Sequence, residues 1–230
     1  MSSNAPKCIA SRRNERRLGR HLDLAFLLAI TLLPLRAPAE PGDALPAAAS
    51  ASRPADWAVK IERAGLPNLY QVTTNLYRGA QPTRQGMAEL KQMGVKTVVN
   101  LRNYHSDEVG MAGTGLEQDH LNMAPWHATD EESVRFLKVV TDTNKLPVFV
   151  HCQRGADRTG TLCAVYRVVV CNWSRDKAIR EMTEGGFGFN PAWQNLVNYV
   201  RKLDVEKLRR ESGLKPDDRT SRSIPGTTKP

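Results

Sequence analysis

The chain has 230 residues, 40% of them hydrophobic, with 33 lysines and arginines against 24 aspartates and glutamates and a formal net charge of +9. That is room for one well-buried α/β domain with loose ends, and little for a second. Positions 1–39 hold 7 basic and 2 acidic residues, leaving 26 against 22 beyond them, and +4 on the body is no nucleic-acid footprint.

The first element is a leader. Arg12, Arg13, Arg16, Arg17 and Arg20 precede an apolar run over 24–33, and Pro34 leads to Ala37-Pro38-Ala39. A basic start, an apolar core too short for a comfortable membrane span and a small-residue site predict a secretory signal peptide over 1–39, cleaved after Ala39. The alternative is an uncleaved anchor, the one membrane contact foreseen. Ser11-Arg12-Arg13 lacks the residues that should follow a twin-arginine start, which favours the general export route to a periplasmic or secreted location. Export leaves Cys152, Cys163 and Cys171. Cys163 and Cys171 stand eight residues apart on one predicted helix, roughly 12 Å, too far for a bridge. No structural disulfide is expected.

Residues 40–56, rich in alanine, proline and serine, read as a linker, and the domain is placed at 57–211. A hairpin over 69–72 and 76–78 precedes a helix capped by Thr83 and stopped by Gly94. A strand over 95–101 ends at Arg102 and enters the polar loop 103–108. Thr129, Asp130, Glu132 and Ser133 resemble the cap of a helix over 134–140. The short β-branched and aromatic run Pro147-Val148-Phe149-Val150 reads as a buried strand, and the apolar stretch over 161–170 as a core helix. A helix over 173–184 carries Ala178, Ile179 and Met182, the glycine-rich stretch 185–191 breaks it, and a last helix spans 192–210. Phe187 and Phe189 are assigned to core packing. Residues 212–230 read as a disordered tail, and no internal repeat is visible.

The chemistry concentrates in His151-Cys152-Gln153-Arg154-Gly155-Ala156-Asp157-Arg158-Thr159-Gly160, between the buried strand and the core helix. A loop at a helix N-terminus offers backbone N–H groups without intrahelical partners and the positive end of the dipole, so main chain alone can cradle a tetrahedral anion. Gly155 lets the loop of Gln153, Arg154, Gly155 and Ala156 curl inward, and Arg158 can grip two oxygens of the same anion. A cysteine beside a fixed cation at such a terminus is lowered from about 8.5 to roughly 3.5–7.5, which makes Cys152 a nucleophile. Thr159 is positioned to donate to its sulfur. Cys163 and Cys171 read as inert core residues, and His151 as an organiser of the strand–loop junction rather than an acid or base.

These ten residues resemble the signature of the cysteine-dependent phosphatases, His-Cys, five residues, then Arg-Thr or Arg-Ser. The compact atypical dual-specificity branch is also resembled by Leu76-Tyr77-Arg78-Gly79-Ala80-Gln81-Pro82, by 95–102 and by 147–150, so the likeness covers about 66–205. It implies a central, mostly parallel sheet flanked by helices. It also implies a two-step phosphoester hydrolysis through a cysteinyl-phosphate, with no metal and no cofactor. The general acid has three candidates. Gly155-Ala156-Asp157-Arg158-Thr159 resembles the loop of myotubularin-like lipid phosphatases and some bacterial phosphatases, where a loop aspartate has been proposed as the acid. This favours Asp157, with a loop-stiffening salt bridge as its structural alternative. Asp130 is the second choice, with helix capping as its alternative; His127 is a weaker third, and Asp119 sits too close to the strand. At the rim, Arg154 suits substrates with more than one phosphate, and Arg102 either walls the pocket or ties its loop to Glu108. The substrate is accordingly a phosphorylated protein, with phosphoinositides or inositol phosphates as the alternative. Two further readings compete, a catalytically silent phosphate-binding module and a sulfur-transfer or RNA end-processing enzyme. The complete loop opposes the first. Arg158 opposes a rhodanese, and the modest charge opposes RNA end processing.

Overall fold

In the computed structural model, which describes residues 53–216, one mixed sheet carries the site. The elements are β1 (Val59–Lys60), β2 (Tyr70–Thr73), β3 (Leu76–Gly79), α1 (Arg84–Gln92), β4 (Thr97–Asn100), α2 (Glu108–Met111), β5 (Glu117–His120), α3 (Asp130–Thr141), β6 (Val148–His151), α4 (Asp157–Val169), α5 (Arg175–Glu184), α6 (Gln194–Arg201) and α7 (Val205–Glu211). Strand order is β1-β2-β3-β6-β4-β5. The first three strands pair antiparallel, and β3, β6, β4 and β5 pair parallel. The α/β fold with a mostly parallel sheet between helices is thus present.

Burial on both faces explains the apolar runs. All four residues of β4 and of β6 are buried, as central strands of a parallel sheet require. Alternation then sorts them. Val98 and Phe149 pack with Leu69, Met87 and Leu90 on the α1 side, while Val99, Val148 and Val150 pack with Phe136, Leu162 and Tyr166 on the α3 and α4 side. A second helical layer closes around Leu137, Val165, Ile179, Val197 and Leu208. Gly79, His151 and Asn100 stand level across β3, β6 and β4, so the residues that follow these three strands emerge together at the carboxyl edge of the sheet.

Caps set most helix boundaries. Thr83 accepts from Gly86 N, and Gly94 takes φ +83 just past α1. Thr129 and Glu132 form a complete capping box. Ser174 caps α5. The expected last helix over 192–210 divides into α6 and α7, because Asp204 accepts from Lys207 N and starts a new helix there. The polar strand β5 lies at the sheet edge, half exposed, and holds Asp119, whose Oδ2 pairs with Lys145 at 3.2 Å. Near the expected tail, Leu214 still packs against the helical layer and donates its N–H to Arg209 O. The expected leader, the linker before residue 53 and the chain beyond residue 216 lie outside the described residues.

Among the cysteines, Cys152 and Cys163 are free. Burial pushes the Cys163 thiol up to about 11, in keeping with an inert core residue. Cys171, partly buried, packs against the same core cluster as Cys152 and Cys163.

One buried ion pair ties the N-terminal approach to the helices. Arg167 donates through Nε and Nη2 to the two oxygens of Glu181, each at 2.8 Å, and Glu181 also accepts from Ala58 N at 2.6 Å. The guanidinium lies 4.2 Å from the Trp173 ring centroid. Removing one partner strands a buried charge, so Glu181→Ala is expected to cost about 3–5 kcal/mol in a urea titration. The apolar pair Arg167→Met with Glu181→Leu is expected to cost less than the two single changes summed; full additivity would deny the coupling.

Candidate active site

Strand β6 ends at His151 and delivers Cys152, 3% exposed, to the carboxyl edge of the sheet. Residues 153–156 then turn directly into α4. The loop is seated on the end of β3. Gly155 has φ +67, and a Cβ there would lie 2.3 Å from the carbonyl carbon and oxygen of Gly79. Glycine is therefore required at 155 by both conformation and space.

Four successive carbonyls of the loop are held from outside. Gln153 O accepts from Gln81 N at 3.3 Å, and Arg154 O from Asn68 Nδ2 at 2.9 Å. Arg78 Nη2 donates to Gly155 O at 2.8 Å and to Ala156 O at 3.4 Å. In a trans peptide the C=O and N–H point opposite ways. Anchoring the carbonyls of 153–156 thus turns the N–H groups of 154–157 away from the scaffold. Among the described residues none of the backbone N–H groups of 153–159 donates a hydrogen bond, and the α4 dipole adds its positive end at the same place. The product is an anion cradle around Cys152.

Arg78 is the main support. It is 1% exposed, and its guanidinium lies 3.7 Å from the centroid of the Phe187 ring, which meets Tyr70 edge-on at 4.7 Å. Phe187 is thus a core residue, as expected. Asn68 Nδ2 also donates to Phe187 O at 2.9 Å, clasping the 185–190 segment to the loop.

The sequence-derived candidates fall as follows. Arg158 Nη1 donates to the carbonyls of Leu101 (3.1 Å) and Met123 (3.3 Å), which fix its guanidinium beside the cradle. Asp157 opens α4, and its Oδ1 accepts from Asn190 N at 2.8 Å; its other oxygen bonds to no described group. Its partner is thus a backbone amide rather than a salt bridge. Thr159 is fully buried, and its Oγ1 has no partner among the described residues, so the expected hydrogen bond to the Cys152 sulfur is not formed. Asp130 belongs to the helical layer, with Oδ2 2.6 Å from Lys207 Nζ and Oδ1 accepting from Tyr199 OH at 3.2 Å. Gln153 and Arg154 present exposed side chains. Arg102 does not reach Glu108; its Nη1 donates to Gln81 Oε1 at 2.9 Å.

Above the cradle lies a groove of about 360 Å³ lined by Arg102, Asn103, Tyr104, His105, Pro125, Trp126, Gln153 and Arg158. Tyr104 is 96% and Trp126 63% exposed at its rim. Asn68, Gln81, Asp107 and the anchoring role of Arg78 were not foreseen. Arg78 alone had a signal in the sequence: two residues after the buried Leu76 of β3, it falls on the core face of its strand, where a charge needs acceptors.

Comparison with known proteins agrees with this geometry. Residues 62–194 match the family model described as DSP-PTPase phosphatase fused to NAD+ kinase. The dual specificity protein phosphatase TpbA of Pseudomonas aeruginosa is 34% identical over 164 residues, covering 70% of this chain and 72% of TpbA. The inositol diphosphatase DSP3 of Arabidopsis thaliana is 23% identical, covering 62% of this chain and 72% of that protein. The crystal structure of P. aeruginosa TpbA superposes with a TM-score of 0.62 at 32% identity, covering 68% of this chain and 96% of that one. The catalytic core of the PP-IP phosphatase SIW14 from S. cerevisiae shares the fold, with a TM-score of 0.58 at 20% identity and coverage of 66% and 94%. With its nucleophile loop intact on that fold, the chain belongs to the cysteine-dependent, dual-specificity-type phosphatase family.

Proposed function

We propose that this phosphatase acts outside the cytoplasm on phosphotyrosine and related phosphomonoesters of proteins, with Asp157 as its general acid. The observation that carries the reading is the inverted loop, whose anchored carbonyls leave the amides of 154–157 free to hold three phosphoryl oxygens around Cys152. Cys152 Sγ attacks phosphorus in line, and the ester oxygen departs with a proton from Asp157. Water then attacks the cysteinyl-phosphate, giving up one of its own protons to Asp157 as the S–P bond breaks, which releases phosphate and restores the Cys152 thiolate. Arg158 binds the equatorial oxygens throughout. Asp157 is favoured because it adjoins Arg158 and keeps one oxygen without a protein partner, whereas both oxygens of Asp130 are engaged. The exposed rings of Tyr104 and Trp126 suit an aromatic ester, and a TpbA variant has been solved in complex with pTyr.

A second substrate reading, inositol phosphates or phosphoinositides, is favoured by Arg102, His105 and Arg158 lining one groove with Arg154 exposed nearby, and by the inositol diphosphatase among the relatives. Export follows from the basic, apolar and small-residue order of positions 1–39. Membrane contact is confined to that segment if it stays uncleaved.

A phosphate-release panel of phosphotyrosine peptides, phosphoserine peptides, inositol polyphosphates and phosphoinositides separates the two substrate readings; faster release from the inositol compounds would overturn the first. Cys152→Ser is expected to abolish turnover, by at least about 10⁴-fold, while phosphate still binds in a calorimetric titration. Asp157→Asn is expected to slow phosphotyrosine peptide hydrolysis by about 10²–10⁴-fold and p-nitrophenyl phosphate, whose leaving group needs little protonation, far less. Equal slowing of both would return the acid role to Asp130.

A further inference from the structure

The loop after β4 carries a residue that packing does not explain. Tyr104 has φ +61, and its side chain is almost wholly exposed. Left-handed backbone is strained for a bulky side chain, and a turn that needs it ordinarily takes glycine or asparagine. The ring adds nothing to the core in return. Strain kept beside a pocket points outside the chain for its compensation, and Tyr104 lines the groove above the cradle together with Trp126 and Arg158.

The turn is braced from within by Asn100, the last residue of β4, which is fully buried. Its Oδ1 accepts from Arg102 N at 2.8 Å and its Nδ2 donates to His105 O at 2.7 Å. One amide group thus spans the turn and uses both of its ends. Leu101 N donates to His151 O at 2.9 Å, and His120 Nε2 lies 2.6 Å from Arg102 O. The residues on either side of Asn103 and Tyr104 are therefore tied to β4, β5 and β6, and β6 is the strand that delivers Cys152. With the ends of the turn fixed, the sign of φ at Tyr104 decides on which side its Cβ leaves the backbone.

We propose that Asn100 is a positioning residue and Tyr104 the specificity residue it serves. The brace keeps the turn left-handed, so that the Tyr104 ring stands against the phenyl ring of an aryl phosphate whose phosphoryl group lies in the cradle. The proposal rests on the phosphotyrosine reading and adds the residues that select such a substrate. Arg158 and the loop amides hold the phosphoryl oxygens, which aryl and alkyl esters share. Contact between rings supplies the distinction.

Binding to the full chain carrying Cys152→Ser, which keeps the cradle without turnover, separates the ring from the phosphate. In that background Tyr104→Asn retains a residue suited to φ +61 and removes the ring. A phosphotyrosine peptide is expected to bind about tenfold more weakly in a calorimetric titration, while inorganic phosphate and a phosphoserine peptide bind as before. Asn100→Ala is expected to weaken the phosphotyrosine peptide by a similar factor. The two changes together should cost no more than either alone, because Asn100 acts through Tyr104. Losses that multiply, as a general loosening of the strand end would produce, overturn that assignment. Unchanged phosphotyrosine affinity in Tyr104→Asn overturns the proposal whether or not Asn100→Ala folds, and so does equal weakening of phosphate and both peptides, which places the loss in the cradle. Failure of inorganic phosphate to bind the Cys152→Ser chain would instead sink the phosphatase reading and this proposal with it.

Discussion

The close approach of Gly155 to the carbonyl end of β3 is the constraint on which the site depends. With the loop pressed onto Gly79 and Ala80, the buried Arg78 guanidinium reaches the carbonyls of Gly155 and Ala156, and Asn68 and Gln81 take the two before them. Fixing those oxygens determines where the amides on the other side of each peptide unit point. Any side chain at 155 would lift the loop by more than an ångström, release these anchors and scatter the donors. Preorganisation here means that the cost of aligning the dipoles is met during folding, before a phosphoryl group arrives.

The scaffold supports that constraint by placing buried charges against acceptors and aromatic faces, although Arg78 Nε keeps no hydrogen-bond partner among the described residues. Arg78 lies over Phe187, Arg167 over Trp173 and against Glu181, and Asp107 between His151 and Gln81. Each such group would be expensive alone, because a charge removed from water needs hydrogen bonds to most of its polar atoms. Together they bind loops that no regular ladder holds. The 185–190 segment is the clearest case: Asp157 Oδ1 accepts from Asn190 N, Tyr70 OH donates to Gly186 O and Asn68 donates to Phe187 O.

Much of this was legible in the sequence where local rules suffice. The apolar runs of β4 and β6, the caps at Thr83, Thr129 and Ser174, and the glycine, arginine and cysteine spacing of the loop are all short-range features, and each appears where the residues placed it. What was hidden depends on pairings across long stretches of chain. Asn68 meets Arg154 across 86 residues, Arg78 meets Gly155 across 77 and Asp107 meets His151 across 44. Polar residues in loops give no sign of such partners until the topology brings the strand ends level. The last helix divides for a local reason, since the side chain of Asp204 restarts the helix within a pattern whose apolar spacing runs on. The neighbouring arginine suggests a salt bridge for Asp157, whereas its carboxylate turns instead to the amide of Asn190.

The account turns on one covalent event, attack by Cys152 within an amide cradle. Acid quenching during turnover of a ³²P-labelled phosphotyrosine peptide, followed by peptide mapping, examines it directly. Label recovered as a thiophosphate ester on Cys152, and absent from the serine variant, is the predicted result. Steady turnover with no label on Cys152, or with label on another residue, would contradict it.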